Sequence, residues 1–399
     1  MQDQNSITKQ IDDSAICYFD NAATTKPNLS AIETTIPYMK DKWHNPSALY
    51  QEAQQVQNDI QLARKAIAES IGAKEDEIYF TSGGSESNSW AIQGFIHYWI
   101  SRGFKPVIIT SIIEHKSIIE CVENLCVETH FVGVDNRGLI DKLQLEGLLE
   151  RVTRDTENAK ILVSIQAANN EIGTMQNIVG LAELTHKFSA YFHTDAVQII
   201  GHIPTCVNDW GIDMLSASSH KWGGLKGNGF LYIKNGVKIL PLVYGTQNNG
   251  MRGGTENVIG IVNMAHALTQ CNTSKRIIDS KYAMRDYIMD KLKNLPYKIE
   301  FNNWAGYVAV LPTIINVTIK ERVTAEGLLY LLNSAGICVS SGSACNSHSN
   351  EPSYVLKAIG LSDDDTVRTL RISFNETTTI EQVDKLVNEL SKAIKILTS

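Results

Sequence analysis

The chain reads as an α/β protein built on a mainly parallel sheet with helices on both faces, and three observations lead there. Short apolar runs recur along it: EIYF (77–80), PVIIT (106–110), ILVSI (161–165), AYFHT (190–194) and GFLYI (229–233). Helix-like segments separate most of these runs, and strands that alternate with helices pair in parallel through crossover connections. Ahead of them Leu49, Ala53, Val56, Ile60, Ala63, Ile67 and Ile71 step by fours and threes and are followed by Gly72, the pattern of an amphipathic helix with a glycine stop.

Taken in chain order, the first segment of chemical interest is FTSGGSESN (80–88), where a strand ends, small residues turn, and a helix begins with Ser85 and Glu86 in its first turn. Free backbone N–H groups and the helix dipole favour an anion at such a place. It is neither a Walker loop, since no Gly-Lys-Ser/Thr follows, nor a GxGxxG fingerprint. Next come HTDAVQ (193–198) and SASSHKWGG (216–224), each placing a charged side chain at the end of a strand-like run. In a parallel sheet, ligands bind beyond the carboxyl ends of the strands, so Asp195 and Lys221 are expected to face one crevice. Taken singly, the three features also read as a capped turn, a helix cap and a solvated surface lysine. Together they supply an anion cradle, a carboxylate for a pyridinium nitrogen and an amine for a covalent link, which are what pyridoxal 5'-phosphate needs.

Near residue 260 the glycine-rich stretch GMRGGTENVIG gives way to helical pattern, and a length of 399 residues favours two domains over one. The division expected is 20–262 for a large domain, with 1–19 and 263–399 forming a smaller one. In the latter, Cys345 stands in SSGSACNS (340–347), among glycine, serine and asparagine that favour turns and solvent. Cys338, within GICV, has the apolar neighbours of a buried strand, and Cys121 and Cys126 fall in a helix-like stretch. The tail closes with Ile380, Val383, Leu386, Val387, Leu390, Ile394 and Leu397 at helical spacing.

Hydrophobic residues at 43%, charged residues at 20% and a net charge of -7 describe an ordinary globular chain without the electrostatic footprint of a nucleic-acid or anionic-membrane binder. The seven cysteines are odd in number and form no CxxC pair, which disfavours a zinc site and fits a reducing cytoplasm. MQDQNSITKQIDD at the start lacks the apolar core of a secretory signal, and no apolar run reaches membrane-spanning length.

The motifs YFDNAATT, TSGGSESN, EHKS, NNEIG, HTDAVQ, SSHK, RGGTEN, SSGSAC and EPSYVL occur in the order found in the NifS/IscS-type cysteine desulfurases. From residue 18 to the last helix the chain resembles that family, within the class V aminotransferases. The resemblance implies pyridoxal phosphate fold type I: a large domain with a mainly parallel seven-stranded sheet, and a smaller α+β domain. It implies that Lys221 holds the cofactor, Asp195 pairs with its ring nitrogen and His115 stacks on the ring. Gly84, Ser85, Ser218 and His220 would line the phosphate, with Thr255 reaching it from the neighbouring subunit. Asn170 and Gln198 would sit near the ring oxygen, Asn170 also bordering the substrate, and Arg371 would bind the substrate carboxylate. Cys345 would be the nucleophile, taking sulfur from L-cysteine as a persulfide and leaving alanine.

A homodimer and a sulfur-accepting partner, such as an iron–sulfur scaffold or a tRNA-thiolating enzyme, are implied as well; SSGSAC resembles the scaffold-serving group. Three positions depart from the family pattern: YGTQNNG (244–250) in place of a glycine-rich acidic-basic run, Tyr50 where a histidine is common, and Asn375-Glu376 after RISF. The competing readings are a selenocysteine lyase or another class V aminotransferase-type enzyme, and a non-catalytic sulfur-relay or scaffold protein.

Overall fold

A computed structural model describes residues 16–302, 310–341 and 352–399. Its strands are β1 (Cys17–Tyr18), β2 (Ile78–Thr81), β3 (Lys105–Ser111), β4 (Glu128–Val132), β5 (Ala159–Ser164), β6 (Tyr191–Asp195), β7 (Met214–Ser218), β8 (Gly229–Ile233), β9 (Ile299–Phe301), β10 (Ile314–Ile319), β11 (Ile337–Cys338), β12 (Ser340–Ser341) and β13 (Thr369–Ser373). Seven of them form one sheet in the order β2-β8-β7-β6-β5-β3-β4. Only β8 runs against the rest, pairing antiparallel with β2 and β7. The α/β reading therefore matches. The strand ETHFV at the β4 edge escapes a pattern search, because three of its five residues are polar or charged and only Val132 is fully buried.

Both faces of this sheet are covered. On one, helix Gln51–Ser70 buries Ala53, Val56, Ile60, Ala63 and Ile67 at the predicted spacing and ends at Gly72, whose φ of +68° belongs to the left-handed region. A Cβ there would also sit 2.8 Å from Cys206 Sγ. On the other face Trp90, Phe95, Ile108, Leu162 and Leu231 pack into a second cluster. Helix Val258–Thr269 buries Met264 and Leu268 in the first cluster, so the expected seam at residue 262 falls inside a helix.

A smaller sheet, β12-β13-β10-β9, is antiparallel throughout and has its own core, to which Ile315, Val317, Ile372 and the C-terminal helix Ile380–Thr398 contribute. That helix begins with a capping box in which the Thr379 hydroxyl accepts from Gln382 N and the Gln382 side chain accepts from Thr379 N. Cys17 and Phe19, from the other end of the chain, belong to the same core, and β1 pairs in parallel with β11. Cys338 in β11 is half-buried, because a two-stranded pair covers it on one side only. Cys121 lies in helix Lys116–Glu123, whereas Cys126 is exposed beyond its end. No helix among the described residues is long and apolar enough to cross a membrane.

At the centre of the large sheet His193 is fully buried, with Ser164 Oγ 2.8 Å from one ring nitrogen and Ser216 Oγ 2.9 Å from the other. Burial pushes its imidazole down to about 3 and, with the help of nearby Lys281, pushes that of His202 down to about 4. Both rings are neutral in the folded chain, while an unfolded histidine binds a proton near pH 6.5. Their contribution to stability is therefore present above that pH and declines as pH falls towards the folded values. Denaturant midpoints measured from pH 7 to 4 should drop in the wild-type chain, and His193→Gln should make that decline shallower; equal slopes would show that the ring is not responsible.

Candidate functional site

The carboxyl ends of the parallel strands open into a cavity of about 300 Å³, lined among others by Gly84, His115, Asp195, Lys221 and Arg371. Most lining segments stand at or just beyond the end of a strand of the large sheet: β2 leads into Gly84 and Ser85, β3 into His115, β5 into Gln166 and Asn170, β6 ends on Asp195 ahead of Gln198, and β7 ends on Ser218 ahead of His220 and Lys221, whereas Arg371 comes from within β13 of the smaller sheet. Burial of both sheet faces leaves this edge as the natural place for a ligand.

Helix Gly84–Ser101 starts directly at the cavity, and its first intrahelical bond runs from Ser87 N to the Gly83 carbonyl. The N–H groups of Gly84 and Ser85 thus lie ahead of the ladder. A Cβ at Gly84 would meet Val197 Cγ2 at 2.7 Å, so a side chain there would force Val197 to shift. Gly83 adopts a φ of +150°, which lets the turn fold tightly. The Ser85 and Ser218 hydroxyls and the His220 ring line the same region. His220 is pushed down to about 4 by burial and by the neighbouring Lys221 and Lys226, so it is a neutral ring at pH 7.

Asp195 is 6% exposed; its Oδ1 accepts from Val197 N at 2.9 Å and its Oδ2 from Asn88 Nδ2 at 2.7 Å. Asn88 also donates to Ser117 Oγ at 2.9 Å, and Ser117 Oγ lies 2.8 Å from His115 Nδ1. A continuous polar chain therefore ties the acid to the histidine. Because His115 caps helix Lys116–Glu123, with Nδ1 accepting from Ser117 N, its ring is fixed by the helix it begins. Lys221 Nζ donates to the carbonyls of Ala22 and Ala23 at 2.7 and 2.9 Å, and Gln198 Nε2 donates to the same Ala22 carbonyl at 3.0 Å.

Arg371 is nearly sealed from solvent, with a side chain 3% exposed. Its Nη2 donates to Asp20 Oδ1 at 2.7 Å and its Nη1 to the Asn170 carbonyl at 2.9 Å. Its Nε is buried with no hydrogen-bond partner among the described residues. An orphaned guanidinium N–H beside a cavity is a place for an acceptor from outside. Glu376, whose proximity in sequence raises the expectation of interference, instead points to Lys281 at 3.7 Å and is largely exposed.

The residues present fit pyridoxal phosphate. The cavity lining includes the serines Ser85 and Ser218, the start of helix Gly84–Ser101, Lys221 and the buried carboxylate of Asp195. All the cofactor and substrate residues read from sequence line this one cavity except Thr255, which is exposed in the 251–257 segment. Cys345 lies outside the described residues. Sequence reasoning missed Asn88, Ser117, Asp20 and the Ala22 and Ala23 carbonyls. Asn88, Asp20, Ala22 and Ala23 stand inside the quoted motifs TSGGSESN and YFDNAATT, and Ser117 closes EHKS, so the signal was a motif position without a role.

Two departures from the family pattern also acquire a physical account. In YGTQNNG the two positions after Gln247 are Asn248 and Asn249, which turn the chain with φ of +46° and +56°. Asparagine is the residue next best suited to that region, and Asn248 Oδ1 accepts from the buried Arg64 at 2.9 Å. Tyr50 precedes helix Gln51–Ser70 and packs edge-on against His44 at 5.8 Å. Trp222 is buried and Met251 half-buried, both as packing residues.

Residues 17–386 match the aminotransferase class-V family. A cysteine desulfurase IscS of Methanosarcina thermophila is 40% identical over 387 residues, covering 95% of this chain and 92% of that protein. Among solved structures, a NifS-like protein from Rickettsia africae superposes with a TM-score of 0.84 at 30% identity, over 95% of this chain and 99% of the other. SspA in complex with cysteine gives 0.78 at 33% identity, over 91% and 99%.

The Asp20–Arg371 pair makes a measurable demand. Removing the acid leaves a buried guanidinium charge uncompensated, so Asp20→Ala should lower unfolding free energy by about 3 kcal/mol, read from denaturant midpoints. An unchanged midpoint would mean that Arg371 does not depend on Asp20.

Proposed function

This chain belongs to the aminotransferase class-V family and, within it, to the pyridoxal phosphate-dependent cysteine desulfurases, and from that premise we propose how its residues divide the reaction. Lys221 is the covalent holder of the cofactor, and Asp195, braced by Asn88, faces the ring nitrogen. His115 would stack on the ring, and Asn170 and Gln198 would lie near its oxygen, all three lining the cavity. Gly84, Ser85, Ser218 and His220 receive the phosphate, with Thr255 contributed by a second copy of the chain. When bound, pyridoxal phosphate supplies a conjugated ring that accepts electron density from the substrate carbon.

Arg371 binds the substrate carboxylate. Its guanidinium is held on two sides by Asp20 and the Asn170 carbonyl, which leaves the buried Nε–H to be satisfied by the substrate. With the cofactor bound, Lys221 Nζ would be the group placed to move the proton at the α-carbon. The thiolate of Cys345 then forms a bond to the sulfur of L-cysteine as the carbon–sulfur bond breaks. The products are a persulfide on Cys345 and, after proton return, L-alanine, so that cysteine plus thiol equals alanine plus persulfide. The observation carrying this assignment is the convergence of Lys221, Asp195, Gly84–Ser85 and Arg371 on one cavity.

The wider reading follows the same premise. The domains divide as a large unit, 20–262 extended to the end of helix Val258–Thr269, and a small unit formed by the first 19 residues and the remainder. The enzyme acts as a cytoplasmic homodimer and passes its sulfur to an acceptor such as an iron–sulfur scaffold or a tRNA-thiolating enzyme.

Two variants test the assignment. Lys221→Ala should purify without the visible absorbance of covalently held cofactor. Cys345→Ser should keep that absorbance yet lose sulfur release by about a thousandfold or more, measured as sulfide and alanine from L-cysteine. Full alanine and sulfide yield from Cys345→Ser would defeat the assignment.

A further inference from the structure

Past the ends of β6 and β7 the chain makes two short turns, and each presents residues to the cavity. One runs from Asp195 through Gln198 to His202, the other from Ser218 through His220 and Lys221 to Gly224. Pairing between the two strands goes no further than Asp195 opposite Ser216, with one added bond from Ala196 N to the Ser216 carbonyl at 3.0 Å. Lys221 stands beyond that last pair, so something other than the sheet must set its offset from Asp195.

His202 bridges the two turns. Its Nε2 lies 2.8 Å from the Lys221 carbonyl, and since a carbonyl only accepts, that nitrogen carries the proton and donates. The backbone is shaped for this approach: Gly201 has a φ of +80°, and a Cβ on it would meet Trp222 Cβ at 2.6 Å. The carbonyls on either side of Lys221 are held as well. Thr25 donates to that of His220 from its N at 3.0 Å and its Oγ1 at 2.9 Å, and Cys271 Sγ lies 3.7 Å from that of Trp222. Thr25 and Cys271 come from other parts of the chain, whereas His202 belongs to the segment that presents Asp195 and Gln198. Of these three attachments, the one from His202 therefore relates the lysine to the acid.

We propose that His202 is a positioning residue for Lys221, setting the span between the lysine amine and the Asp195 carboxylate by holding the peptide from which the lysine side chain departs. The inference rests on the reading in which both groups hold pyridoxal phosphate. Asp195 grips the ring from one segment and Lys221 from the next, so an error in the offset of the two segments passes directly into the distance over which the amine must work. Lysine's flexible stem absorbs part of that error. The cofactor is then still taken up, but its covalent hold is weaker, and a small misplacement of the amine lowers the rate of the reaction steeply.

The test uses the holoenzyme and reads two rates: loss of its visible absorbance on dilution into cofactor-free buffer, and kcat for alanine formation from L-cysteine. KM and the denaturant midpoint are measured beside them. In His202→Leu the absorbance should decay about fivefold faster and kcat should fall about tenfold, with KM within about threefold of wild type. In His202→Gln, whose amide nitrogen reaches the same carbonyl, both rates should stay within about threefold of wild type. A purely structural role would lower the midpoint of His202→Leu and leave both rates of the folded protein at wild-type values, and that result overturns the inference. So does a His202→Gln variant as impaired as His202→Leu, or a loss confined to KM. Should His202→Leu fail to fold, His202→Asn takes its place, since its shorter amide falls short of the carbonyl; equal rates in His202→Asn and His202→Gln overturn the inference. Visible absorbance that survives Lys221→Ala would instead overturn the assignment of Lys221 as cofactor holder, and this inference with it.

Discussion

Parallel pairing is the constraint from which the site follows. Strands β3 to β7 run one way, each returned by a helical crossover, so their carboxyl ends share an edge while their faces are sealed by apolar helices. Polar residues placed just beyond those ends cannot be buried in the core, and they have no competing partner in the sheet. They meet each other. His115, Asn170, Asp195 and Lys221 are spread over more than a hundred positions, and the sheet reduces that separation to the width of one cavity. Reversing a single strand, as β8 does, removes its carboxyl end from the edge; correspondingly, the turn directly after Ile233, residues 234–237, does not line the cavity.

Much of this was legible before any coordinates, for a reason that differs between fold and site. Helix Gln51–Ser70 announces itself because a one-sided burial imposes a repeat on its own sequence. The buried strands announce themselves as short apolar runs. The β4 edge strand, pressed on one side only, retains Glu128, Thr129 and His130 and carries no such imprint. Site residues leave a different trace: a charged side chain at the end of an apolar run is out of place in a core, and Asp195 and Lys221 are both of that kind.

What stayed hidden were pairings. The Asn88–Asp195 bond joins residues 107 positions apart and the Asp20–Arg371 bond joins residues 351 apart. No local pattern encodes which of several acids in a chain will meet a given arginine. Glu376, five positions from Arg371, was the neighbour by sequence, and the strand geometry sends it to Lys281 instead. Asp20 wins because β13 passes beside the segment after β1, where Asp20 bridges to Ser373. The choice is made by topology and only then sealed by charge.

That same segment, residues 18–25, shows how the two cores are kept in register. Phe19 is buried in the core of the smaller sheet, Asp20 holds Arg371 from β13, and Asn21 donates to the Ser373 carbonyl at 3.2 Å. One residue later the direction of attachment changes: Ala22 and Ala23 offer their carbonyls to Lys221, and Ala22 also to Gln198. Thr25 then donates to the His220 carbonyl at 2.9 Å. Within a few residues the chain passes from Asp20, which holds the arginine, to the carbonyls that hold the lysine, through a turn closed by Ala23 N donating to the Asp20 carbonyl at 3.0 Å. A shift of the smaller sheet that moved Arg371 would therefore pull on the carbonyls that hold Lys221. Since the arginine is the group for the substrate carboxylate and the lysine the holder of the cofactor, the distance between the two binding functions is set by a few consecutive peptide units, and is stiffer than a contact between two separately folded surfaces would make it.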